Sequence, residues 1–104
     1  MKEMNRILSM IGLATRAGKT VSGEFSVEKA VKQKKAKLVI VSEEASENTK
    51  KLFSNKCSYY KVPFFIYGTM KELGMSTGSS QRASIAVIDS GFSKSIVNML
   101  TDNK

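Results

Sequence analysis

Met4, Ile7, Leu8 and Ile11 recur at helical spacing, with polar Asn5, Arg6 and Ser9 between them. The pattern predicts a first helix from about Lys2 to Arg16, with Gly18 as its stop. Lys19 to Ser22 reads as a short extended piece. A second helix starts at Ser22 or Gly23, with Glu24 well placed for the dipole of its first turn and Val27, Ala30 and Val31 on its apolar face. Lys29 and Lys32 flank that face.

Lys37-Leu38-Val39-Ile40-Val41 is an unbroken apolar run, the pattern of a central strand buried on both sides. Ala45, Thr49, Leu52, Phe53 and Cys57 then keep helical spacing. Glu43, Glu44 and Glu47 precede Lys50, Lys51 and Lys56, an order that suits a helix dipole. Tyr59 and Tyr60 are expected to finish this helix and cover the sheet edge. Phe64 to Tyr67 is a second strand after Pro63. Gly68-Thr69 opens a short helix ending near Leu73-Gly74, and residues 74–84 form a polar loop. Ile85 to Ile88 is a third strong strand. Phe92, Ile96, Met99 and Leu100 mark a last helix, and Thr101 to Lys104 are expected to fray. This alternation predicts an α/β fold, a three-layer α/β/α sandwich.

The length of 104 residues suits one domain, read here as residues 1–104. The formal charge is +8, and most of it falls before Leu38. Such a balance suits nucleic acid or an anionic surface, or it only solubilises. No segment approaches the ~20 apolar residues that span a bilayer. Lys2, Glu3 and Arg6 are not followed by a secretory core, so a cytoplasmic protein with no membrane partner is expected. There is no His, and Cys57 is the only cysteine, so an internal disulfide and a Cys/His metal site are excluded. Cys57 reads as a small core hydrophobe. No cofactor is indicated, and no paired carboxylates or nucleophile dyad can be read from the spacing. Glu43 and Glu44 are adjacent, so on a strand they would face opposite sides.

Gly12 to Thr20 superficially resembles a phosphate-binding P-loop. It has five residues between its glycines where four are needed. It also follows a helix and precedes β-prone residues, the reverse of a P-loop's setting. A helix stop explains Gly18 better. The lysines from Lys29 to Lys37 are a solvated face or a phosphate contact. Phe25 is expected to anchor the helix entry by a hydrophobic contact, with base stacking as the alternative. Gln81, Arg82 and Ala83 belong to a connector or a recognition loop.

Several strings, in order, resemble one family. They are Gly12-Leu13-Ala14-x-Arg16-Ala17, Val21-Ser22-Gly23-Glu24, Ala36 to Val41, and Glu43-x-Ala45-Ser46. They continue with Lys56-Cys57-x-Tyr59-Tyr60-Lys61-Val62-Pro63, Leu73-Gly74-x-x-x-Gly78 and Ala86-Val87-x-Asp89-x-Gly91-Phe92. Together they resemble the kink-turn RNA-binding family of ribosomal protein L-seven-Ae, and within it the small bacterial branch called YlxQ.

The resemblance implies a monomer with a mixed sheet of about four strands, and no enzymatic activity. It implies binding to structured RNA, ribosomal or otherwise, whose helix kinks beside sheared G·A pairs. The start of the second helix would enter the major groove there, and the loop before the last strand would cover a flipped-out nucleotide. The family motif Gly-x-Asn-Glu-x-x-Lys falls on Gly23 to Lys29. Gly23 and Lys29 match, whereas Phe25 stands for Asn and Ser26 for Glu. Phe25 has no base-edge hydrogen bond to offer, and Ser26 reaches less far than Glu.

The expected RNA contacts are therefore Gly23, Glu24, Phe25 and Ser26 at the helix start. Lys19, Lys29, Lys32 and Arg82 would meet phosphates, and Gln81 and Ala83 would join Arg82 at the kink. A protein-interaction module on the same fold is the alternative, motivated by Phe25 and Ser26. A nucleotide-using enzyme, argued from Gly18-Lys19-Thr20, is the third reading.

Overall fold

A computed structural model describes residues 3–102. The expected helix start at Lys2, the Met4 side chain and residues 103–104 of the segment expected to fray lie outside the described residues; Thr101, in the same segment, instead closes the last helix and donates its hydroxyl to Val97 O at 2.9 Å. The elements run α1 (Glu3–Arg16), β1 (Thr20–Ser22), α2 (Glu24–Lys32), β2 (Leu38–Val41), α3 (Glu47–Tyr60), β3 (Phe64–Ile66), α4 (Met70–Ser76), β4 (Ser84–Val87) and α5 (Ser90–Thr101). The sheet has four strands in the order β1-β4-β2-β3. β4 runs antiparallel to both β1 and β2, and β3 runs parallel to β2 after the α3 crossover. The short extended piece after Gly18 is thus a true edge strand.

Every residue of β2 and β4 is buried, as helices on both faces require. Side chains alternate between two cores. Leu38, Ile40, Ile85 and Val87 join Ile7 and Ile11 of α1, Leu73 of α4 and Ile96 of α5. Val39, Val41 and Ala86 join Val27, Ala30 and Val31 of α2, with Phe53 and Cys57 of α3. These are the three layers expected from the alternation of elements. Burial pushes the Cys57 thiol up to about 11, so it remains protonated and acts as a core hydrophobe.

Gly18, at φ 74°, closes α1, and the Lys19 N–H returns to Ala14 O at 2.8 Å. The chain then enters β1 rather than a helix, so Gly18-Lys19-Thr20 has none of the P-loop's setting. Other expectations need correction. Ala45 is buried but precedes α3, whose first turn holds only Glu47 and whose last turn has no basic residue. Tyr60 packs on the core, but Tyr59 is 77% exposed and does not cover the sheet edge.

α4 continues to Ser76, so Gly74 is inside the helix rather than its stop. The reason is close packing. A Cβ on Gly74 would lie 2.6 Å from backbone atoms of Ser80 and Gln81. The return loop therefore rests directly on α4, and the Arg82 N–H donates to Met70 O at 3.0 Å. Gly74→Ala gains about 1 kcal/mol of helix propensity. It forces backbone apart, however, and overpacking costs about 1–3 kcal/mol. A net fall in melting temperature is expected in a thermal scan, by several degrees at the upper end of that range. An unchanged or higher melting temperature would contradict the close approach.

Candidate nucleic-acid interface

A helix start leaves backbone N–H groups without intrahelical partners. Ser46, Thr69 and Asp89 cover those of α3, α4 and α5 with side-chain oxygens. α2 differs. It begins at Gly23, at φ 94°, with no side-chain cap. The first bond of α2 runs from Val27 N–H to Gly23 O at 2.9 Å, so the N–H groups of Glu24, Phe25 and Ser26 precede the helical ladder. A Cβ on Gly23 would meet nothing within 4 Å. Glycine is there for its backbone conformation, and the space around it is open.

The sheet carries the second segment to this point. The Gly23 N–H donates to Ser84 O at 3.0 Å, where β1 leaves β4. Arg82 Nε donates to Ser22 Oγ at 2.8 Å, and Nη1 donates to Gln81 O at 3.1 Å. Sixty residues of chain separate Arg82 from Ser22. Gln81 is exposed, while Ala83 is half-buried and packs on the α2 core. The helix start and the loop expected to act together are therefore neighbours, joined by an arginine that holds its guanidinium over Ser22.

Along α2, Val27, Ala30 and Val31 face the core. At 3.6 residues per turn, Phe25 lies about 120–160° away from them, with Lys29 and Lys32 close to its own bearing. Phe25 is 77% exposed, so it does not anchor the helix entry. The helical period fixes this outcome, because the inward stripe is already filled. Phe25, Glu28, Lys29, Lys32 and Gln33 line one shallow hollow. Glu28 Oε2 lies 3.6 Å from both Lys32 Nζ and Lys56 Nζ. Lys32 is thus partly offset by a carboxylate, whereas no ion pair is found for Lys29 among the described residues.

Gly23, Glu24, Phe25 and Ser26 form the helix start, Lys29 and Lys32 continue its exposed side, and Gln81, Arg82 and Ala83 flank it. Lys19 does not join them. It precedes β1 at the end away from Gly23, roughly 10–13 Å along an extended strand. Sequence reasoning missed Ser22 as the seat of Arg82, and Glu28 and Lys56 as the link to α3. Ser22 followed by a required left-handed glycine was a readable sign of a sharp exit; the Glu28–Lys56 pair left no local signal.

Two groups titrate away from their ordinary values among the described residues, and neither lies on this face. One is Cys57. The other is Tyr67, held high by burial and then by the carboxylates of Glu72 and Glu43. Among the described residues no helix is long and apolar enough to cross a membrane, and no group of three or more His, Cys, Asp or Glu is placed to hold a metal ion. What the face offers is unpaired N–H donors, amide and hydroxyl groups, one aromatic ring and cations. Such groups can hold a phosphate-bearing polymer.

Residues 5–97 match the family described as ribosomal protein L7Ae/L30e/S12e/Gadd45. The RNA-binding protein YlxQ of Bacillus subtilis (strain 168) is 44% identical over 91 residues, covering 88% of this chain and 91% of that protein. A solved structure of a protein with unknown function from Bacillus halodurans C superposes with a TM-score of 0.89 at 38% identity, covering 91% of this chain and 96% of that one. The Giardia lamblia 15.5kD RNA binding protein shares the fold, with a TM-score of 0.81 at 17% identity, covering 98% of this chain and 88% of that one.

Proposed function

The chain belongs to the ribosomal protein L7Ae/L30e/S12e/Gadd45 family, and from that membership and the α2 face we propose that it is a non-enzymatic protein that binds structured RNA. The observation that carries the proposal is the uncapped start of α2 beside the loop held by Arg82. Three other helices use a side chain to cover their first turn, and α2 leaves its own open at the face where the second segment arrives. A phosphate or a base edge is a natural acceptor for those N–H groups.

The finer reading is a kinked RNA stem, ribosomal or otherwise, bound by a single monomeric domain in the cytoplasm. Glu24 and Ser26 meet base edges in the groove, while Lys29 and Arg82 take phosphates. Gln81 and Ala83 close over the extruded nucleotide, and Phe25 stacks where a hydrogen-bonding residue would otherwise read a base. Lys32 contributes a weaker charge because Glu28 shares it. Lys19 contributes field rather than contact.

Competition between a kink-turn and the same RNA with its G·A pairs disrupted tests this. The intact RNA is expected to bind about five- to tenfold more tightly, the low end of the discrimination that base-edge hydrogen bonds supply. Equal binding would reduce the function to general affinity for structured RNA. The exposed Phe25 favours one other reading, a protein-interaction module on the same fold. Its ring is bordered by Lys29 and Lys32 rather than by apolar side chains, which supports RNA. Failure of both RNAs to bind would favour the module.

A further inference from the structure

Tyr59 and Phe25 are each 77% exposed, the most exposed of the large hydrophobic side chains described. They lie on different helices, yet one ion-paired cluster connects them. Phe25 and Glu28 are one turn apart on α2, and Lys56 and Tyr59 are one turn apart on α3. Glu28 and Lys56 pair at 3.6 Å between the helices. A second hollow, lined by Leu52, Asn55, Lys56, Tyr59 and Tyr60, continues the surface beyond that pair. Tyr60 stands edge-on to Tyr59 at 4.8 Å between ring centroids, which limits how far the Tyr59 ring can turn.

We propose that this outer face of α2 and α3 is a platform for an unpaired RNA strand leaving the kinked stem, which passes from Phe25, stacked on the stem at the kink, to Tyr59, on which an unpaired base stacks. Lys32 and Lys56 meet the phosphates between them. Aromatic faces spaced among cations suit a single strand, because every base has a π-face and every link a charge. The centre of a protein–protein interface is depleted in charged residues, and here a charged trio separates the two rings. Glu28 holds Lys32 and Lys56 in place in the free protein, and a phosphate can replace its carboxylate on either one. The inference rests on the reading of the chain as an RNA-binding protein.

Three RNAs, measured by fluorescence anisotropy, test it: a blunt kinked stem, and the same stem with a short unpaired uridine tail on its 5′ or its 3′ end. One tail is expected to tighten binding. Tyr59→Ala should abolish most of that gain, a loss of about five- to fiftyfold. Tyr59→Phe should retain it, and neither change should alter binding of the blunt stem. Tyr59 is a surface residue, and circular dichroism will confirm that both variants fold. If neither tail adds affinity, or if Tyr59→Ala keeps the gain, the platform is overturned and the face is left to a protein partner. If the blunt stem binds and the tails do not help, only this inference falls. Binding of none of the three RNAs would overturn the RNA-binding proposal and the platform together.

Discussion

Raising salt from 50 to 200 mM is expected to weaken RNA binding by roughly sixty- to a thousandfold, the consequence of about three to five phosphate contacts and a log–log slope of about −3 to −5. The contact number follows from the fold rather than from total charge. The formal charge of +8 is spread widely. Lys37 opens onto a hollow beside Pro63 and Lys94, away from the start of α2. Lys50 pairs with Glu47. The cations grouped at the proposed interface are Lys29, Lys32, Lys56 and Arg82, with Lys34 and Lys35 just past the end of α2. Glu28 already offsets part of this set. Slopes fitted from titrations at several salt concentrations check the number. A flat dependence would mean that phosphates are not what the face holds, and a slope near −8 would mean about nine contacts, more than the grouped cations can supply.

Phe53→Ala is expected to destabilise the protein by about 3–5 kcal/mol. Phe53 is fully buried on α3, in the core that α2, α3 and the sheet share. Removing its ring leaves a cavity that the flanking β-branched Val39 and Val41 fill poorly, since their side chains have little rotamer freedom. A domain of this size has about 5–15 kcal/mol in total. The variant should therefore unfold at a much lower urea midpoint with an unchanged m-value. Phe53 is fully buried and offers no atom to a ligand, so the folded fraction should bind RNA as before. A shift below about 1 kcal/mol would mean that this core repacks far more easily than close packing allows.

The layers were readable because the signals are local and strong. Leu38 to Val41 and Ile85 to Val87 are apolar on successive residues, which only strands covered on both faces tolerate. The helix boundary at Gly23 was readable as well, from Gly and the acidic residue after it. Gly74 was misread because a glycine near a helix end ordinarily signals a stop, whereas here it permits contact with a loop that follows in sequence. The bearing of Phe25 was available from the positions of Val27, Ala30 and Val31, but a hydrophobic residue in a first helical turn also suits an entry anchor. Tyr59 gave no such warning, since exposed and buried tyrosines look alike in one sequence. The Arg82–Ser22 and Glu28–Lys56 contacts are tertiary, and no periodicity encodes them.

The seam between β1 and β4 also sets an order in time. α2 and its open first turn are synthesised early, but Ser84, which takes the Gly23 N–H, and Arg82, which holds Ser22, emerge some sixty residues later. A nascent chain that has exposed only its first half carries most of the positive charge and none of the assembled interface. It can attract RNA without recognising it. If the proposed interface is the one that selects RNA, selection waits until β4 slots between β1 and β2, and the last strand to be made completes the sheet and the interface together.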